Sequence, residues 1–124
     1  MKKRITSIMQ NDLAIMSLFF PEGMLDYFDI TDFTKTSERI DFYLSEKNII
    51  PIEYKDKKLT SKGFYDEKIV EDFPLRGLEV RLHVKRRRWI VSESQKIVNR
   101  NWELVAKGTR KTKEFATFLK EYFR

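Results

Sequence analysis

Val80–Val91, VRLHVKRRRWIV, is the stretch on which the reading of this chain turns. Val80, Leu82 and Val84 alternate with Arg81, His83 and Lys85, and this period of two predicts a strand with one apolar and one cationic face. Continued unbroken, the alternation would put Arg86 and Arg88 beside Val84 on the buried face, where unpaired guanidiniums are costly. The phase therefore has to change, through a bulge or a turn, before Trp89 and Val91 rejoin an apolar face. The arginine run is expected to be exposed and splayed outward.

Downstream, SESQKIVNRNWEL (Ser92–Leu104) reads as a turn and a further strand, with Trp102 and Leu104 alternating. The tail then closes with a helix from about Thr112. Phe115, Phe118, Leu119 and Tyr122 fall at helical spacing and form one aromatic stripe. Thr112 is its expected cap, with Lys107, Arg110 and Lys111 just ahead. Upstream, Asn11 or Asp12 caps a helix over LAIMSLFF, and Pro21 opens a second over PEGMLDYF. YFDITDF and ERIDFYLSE read as a hairpin in which Ile40, Phe42 and Leu44 alternate with Asp41, Tyr43 and Ser45. Residues 48–63 are polar and lysine-rich, and Pro51 argues against a central strand there, so a loop with at most one short extended piece is expected. FYDEKIVEDFPLRG (64–77) then brings the chain back with apolar Ile69, Val70 and Phe73 and a turn at Pro74–Gly77. Together, residues 48–77 are read as a loop-rich connection.

The expected fold is therefore α+β and one domain, 1–124. It has two short N-terminal helices, a small antiparallel sheet of about five strands, and a C-terminal helix. Its parts are helices plus hairpin over 1–47, the connection over 48–77, and a basic strand-strand-helix part over 78–124. At 41% hydrophobic and 14% aromatic, the 124 residues can bury one core. No cysteine is present and His83 is alone, so disulfides and a Cys/His zinc site are excluded. No run reaches the 18 or so apolar residues of a membrane span. A soluble, cytoplasmic chain is expected.

Charge is uneven. From Arg81 to Arg124, 13 Lys and Arg face 4 Asp and Glu, whereas residues 1–80 hold 12 against 15. A basic third joined to a mildly acidic remainder points to a polyanionic partner. No P-loop, GxGxxG, GxSxG or metal-spaced cluster occurs, and Asp26, Asp29, Asp32 and Asp41 are scattered among polar faces. Catalysis is not expected, nor is any cofactor or metal. The positive signal is a basic ensemble: Arg81, Lys85, Arg86, Arg87, Arg88, Arg100, Lys107, Arg110, Lys111 and Lys113. Arginine forks suit phosphate oxygens. Trp89, Trp102, Phe115 and Phe118 read as core, although the tryptophans could instead contact bases. His83 reads as a surface residue or one more contact.

In order and spacing, these elements resemble the N-terminal region of bacterial DDE-type insertion-sequence transposases. The likeness is to the branch in which this region is a separate short reading frame. It rests on Asp72, Pro74, Gly77, Val80, Leu82, Val84, Arg87, Arg88 and Trp89, followed by Thr109, Arg110, Thr112 and Phe115. PEGMLDYFDI and Ser61–Tyr65 extend it over most of residues 20–124. The resemblance implies a non-catalytic module that binds double-stranded DNA at element ends, alongside a separately encoded DDE catalytic part. It also implies a zinc-ribbon-like sheet. Relatives place cysteine pairs where this chain has PIEYKDK and IVSESQK, so no metal is carried over. An RNA-binding or regulatory domain is the alternative, as is an adaptor docking a catalytic partner through the C-terminal helix; an oligomer is compatible with either.

Overall fold

Val80, Leu82 and Val84 are fully buried, as the alternation requires, and they lie at the centre of the molecule. A computed structural model describes residues 14–108 and 113–123, without the side chains of residues 108 and 113–115. Among the described residues, seven strands form two sheets. The first is four-stranded, with β1 (Phe28–Lys35), β2 (Arg39–Glu46), β4 (Lys68–Leu75) and β5 (Leu78–Lys85) in the order β1-β2-β5-β4. The second is three-stranded, with β3 (Leu59–Phe64), β6 (Arg87–Val91) and β7 (Ile97–Val98) in the order β3-β6-β7. The chain thus visits the large sheet, the small one, the large one again, and ends its strands in the small one.

The α+β class holds, with two differences from the single antiparallel sheet expected. There are two sheets, and β2 pairs with β5 in parallel, Phe42 opposite Leu82. The 48–77 connection is no mere loop: it supplies β3 and β4. The predicted hairpin is present, with β1 antiparallel to β2 and Phe33 opposite Phe42. Between β4 and β5 only Arg76 and Gly77 separate the paired Leu75 and Leu78, both with positive φ (50° and 82°). That is the signature of a two-residue type I′ turn.

One face of the large sheet carries Phe42, Leu44, Val70, Val80, Leu82 and Val84 into the core. Against it pack Phe20, Met24 and Phe28, helix α1 (Trp102–Gly108) and helix α2 (Lys113–Tyr122). Trp102 stacks on Phe28 at 5.4 Å and tilts against Phe123 at 5.1 Å. Each fully buried large apolar side chain contributes about 1.5–3 kcal/mol, so this aromatic group fixes how the helices sit. Trp102 opens a helix instead of extending a strand, because Asn101 caps it: the Leu104 amide donates to Asn101 Oδ1 at 3.0 Å. Phe118 and Leu119 are buried, as the stripe predicts, and Phe115 lies outside the described side chains. The N-terminal segments are short: residues 14–16 are helical, followed by 3-10 turns at Ser17–Phe19 and Met24–Asp26.

Candidate nucleic-acid interface

The phase change expected at the arginines is real and larger than a bulge. β5 ends at Lys85 in the large sheet, Arg86 is the joint, and β6 begins at Arg87 in the small one. Trp89 and Val91 then face inward beneath the small sheet, and Trp89 is only 1% exposed. The strand leaves one sheet and enters the other before a guanidinium has to occupy the first sheet's core.

The arginines divide by direction, which corrects the expectation of a uniformly splayed run. Arg87 turns inward. Its Nε and Nη2 donate to the Glu46 carbonyl at 3.2 and 3.0 Å, and its Nη1 donates to Ser61 Oγ at 2.6 Å. Its guanidinium covers the ring of Phe64 at 4.6 Å, so it acts as a clamp between the sheets. Arg86 and Arg88, half-buried, both lie over Tyr65, at 5.5 and 5.8 Å. Such contacts pre-order a guanidinium without neutralising it. Exposed Lys85 precedes them on β5. Exposed Lys62 lies in a β3 bulge where Lys62 and Gly63 together oppose Arg88, with Gly63 at φ 77°. Among the described residues, Lys62, Lys85, Arg86 and Arg88 make no ion pair.

Arg100 is corrected outright. It is 5% exposed, and its Nε donates to Glu46 Oε2 at 3.0 Å, with Glu46 itself 1% exposed. Its Nη2 reaches the Ile49 carbonyl, and its plane lies over Tyr27 and Trp102. Glu46 also accepts the Arg87 backbone N–H on Oε1 at 2.9 Å. Burial pushes the Glu46 carboxyl above its ordinary pKa, against the pull of the Arg87 amide and the Arg100 guanidinium. Arg100 is therefore a structural ion-pair partner and is not available to a polyanion. Arg81 sits apart on the outer face of the large sheet, with Nη2 3.4 Å from Glu79 Oε1. Lys107 is exposed on the last turn of α1. Arg110, Lys111 and the Lys113 side chain lie outside the described residues, as does the expected cap at Thr112.

His83 is not a plain surface residue. Its side chain is 12% exposed, with Nε2 2.7 Å from Asp41 Oδ1 and Nδ1 2.8 Å from Glu67 Oε1. The ring stacks on Tyr43 at 4.4 Å, and Arg39 donates to the other Asp41 oxygen at 2.9 Å. Burial opposes ionisation of Asp41, but the hydrogen bonds from His83 and Arg39 outweigh it and hold the pKa below the ordinary carboxylate value. The cluster joins β2, β5 and the approach to β4. Among the described residues, no group of three His, Asp or Glu is placed to share a metal ion. No described helix is long and apolar enough to cross a membrane.

Reading the sequence missed Lys62, Tyr65 and Glu46. Lys62 carried a signal in the Lys-Gly pair, since glycine inside a strand marks a bulge. Tyr65 and Glu46 carried none, because their roles come from strands that are distant in the chain. Comparison with family models, with curated proteins and with solved structures finds no match.

Proposed function

We propose that this chain binds duplex DNA through the small sheet and serves as the non-catalytic, end-binding part of an insertion-sequence transposase. The observation that carries the DNA reading is the grouping of Lys62, Lys85, Arg86 and Arg88, unpaired, around a sheet whose three strands hold no carboxylate. Phosphate contacts of this kind supply affinity and register on a duplex. The transposase assignment adds the motif order from Asp72 to Trp89. Catalysis then belongs to a separately encoded DDE partner, and no cofactor is required of this chain.

Fluorescence anisotropy with a short labelled duplex tests the DNA reading. Replacing Lys62, Lys85, Arg86 and Arg88 together by Ala is expected to weaken binding strongly and to flatten the plot of log affinity against log salt by about 3 to 4. Unchanged affinity and slope in a folded variant refute it. Arg87 stays out of the set because its loss would disturb the sheet junction. For the transposase assignment, the decisive observation is a neighbouring reading frame encoding a DDE nuclease, with inverted repeats flanking both.

The adaptor reading is favoured by one observation and can coexist with the first. A groove of about 660 Å³ runs between edge strand β4 and α2, lined by Val70, Asp72, Phe73, Phe118, Glu121 and Tyr122 among others. Phe73 is 77% exposed there. Glu71, Asp72 and Glu121 make the groove unsuited to nucleic acid and suited to a polypeptide.

A further inference from the structure

The outward face of the small sheet is not uniformly cationic. Since Trp89 and Val91 face inward, Arg88 and Ile90 face outward on β6. On β3, exposed Thr60 and Lys62 alternate with half-buried Leu59 and Ser61. Pairing places Thr60 opposite Ile90 and Ile90 opposite Ile97, so these three form one row across all three strands. Ile97 is 49% exposed. One row along the strands lie Arg88 and, in the bulge, Lys62. Ile90 at the middle of the first row is half-buried, between exposed Thr60 and Ile97. A surface that only gripped phosphates would gain nothing from leaving such a row partly in water, which costs about 25 cal/mol per Å².

From this arrangement we infer that the β3–β6 ribbon enters the DNA major groove and reads bases, Thr60 and Ile90 against thymine methyls and Arg88 against guanine. The inference rests on the DNA-binding reading above and extends it from affinity to sequence. A two-stranded ribbon fits the major groove, which is about 12 Å wide. The thymine C5 methyl is the apolar group on the major-groove base edges, and Arg paired to guanine O6 and N7 is the commonest specific contact there. Successive outward rows on a strand are about 6.6–6.8 Å apart, close to two base-pair steps of about 3.4 Å each. The favoured site therefore holds a thymine about two base pairs from a guanine. Tyr65 beneath Arg88 holds that guanidinium ready, and Ile97 extends the apolar row to the groove's rim.

The test is selection of the full chain on a randomised duplex library, followed by measurement on the winning duplex with its thymines replaced by deoxyuridine. The expected result is an enriched thymine–guanine pattern and a loss of about fourfold in affinity per contacted methyl removed. Thr60→Ser and Ile90→Ala are each expected to shrink that uridine penalty and to lower affinity for the selected duplex more than for unselected duplex. Thr60 is exposed, so Thr60→Ser reports even if Ile90→Ala disturbs the sheet. An enriched site indifferent to uridine, or a uridine penalty intact in both variants, overturns the inference. Duplex binding with no enriched pattern overturns it too and leaves the DNA-binding reading standing. A wild type that does not bind duplex at all overturns both.

Discussion

Along its four strands the large sheet carries seven carboxylates and five Lys or Arg; the small sheet carries three cations and no carboxylate. The large sheet pairs charges with one another on its outer face and leaves Lys85, at the end of β5, to the cationic group. Asp41, His83, Arg39 and Glu67 satisfy one another on its outer face, and its inner face is the core. The small sheet has little to bury beyond Trp89 and Val91. Of its three cations, Arg87 is tied to Glu46 and Ser61, while Lys62 and Arg88 make no ion pair among the described residues. The difference shows that a run of like charge is not one functional unit. Arg86, Arg87 and Arg88 are neighbours in the chain, yet Arg87 belongs to the architecture and Arg88 to the surface, while Arg86 stands between them, half-buried over Tyr65 and the core ring of Phe123.

The largest expected effect lies where the two sheets are joined. Arg100→Ala strands the buried Glu46 carboxylate and should cost about 3–5 kcal/mol in urea unfolding. Replacing Glu46 and Arg100 together with apolar residues should recover much of that loss, and a double variant as unstable as the single would show that the pair contributes by more than mutual neutralisation. Next comes the division within the arginine run. Arg87→Ala should lower stability by about 1.5–3 kcal/mol through its hydrogen bonds to Glu46 and Ser61. Arg88→Ala should leave the unfolding midpoint in place and reduce duplex affinity alone. If the two variants behave alike, the contrast drawn between them is wrong.

A smaller effect distinguishes the self-satisfied face of the large sheet. The Asp41 pKa is lowered from 3.8, so the stability it lends is present above that pH and drains away as pH falls through the folded-state value. Urea midpoints measured across the acid range should fall less steeply for Asp41→Asn than for wild type, and parallel curves would exclude this contribution. Smallest of all is the exposed Lys57–Glu93 pair at 3.9 Å. Lys57→Ala should stay within about 0.5 kcal/mol of wild type by the same measurement.

Much of this was legible in residue order. Val80, Leu82 and Val84 announced β5, Ile40, Phe42 and Leu44 announced β2, and the impossibility of burying Arg86 and Arg88 announced the break. What the break led to was not legible, because nothing local says that β6 joins another sheet. β3 falls where one short extended piece was allowed, but LTSKGF is mostly exposed and offers no apolar alternation to fix its bounds. β4 shows Ile69 and Phe73 to solvent at a sheet edge and so lacks a clean buried face. The α1 helix stands where a strand was expected, although the sequence holds its signals: Asn101 is a capping residue, and Trp102 and Ala106 stand four apart on the buried side. At the interface, the sign of the surface could be read from composition. Which cations were already committed could not, since Glu46 lies 41 residues from Arg87 and 54 from Arg100.

The strand order of the two sheets has a consequence for how this molecule can be taken apart. Any cut between β2 and β6 separates partners in at least one sheet, and the parallel β2–β5 ladder must wait for the intervening chain to fold back before its first rung forms. Fragments ending near residue 47 or 77 are therefore not expected to stand as autonomous pieces. Amide exchange should show both sheets opening in one concerted event, with fraying confined to the brief β7 rim.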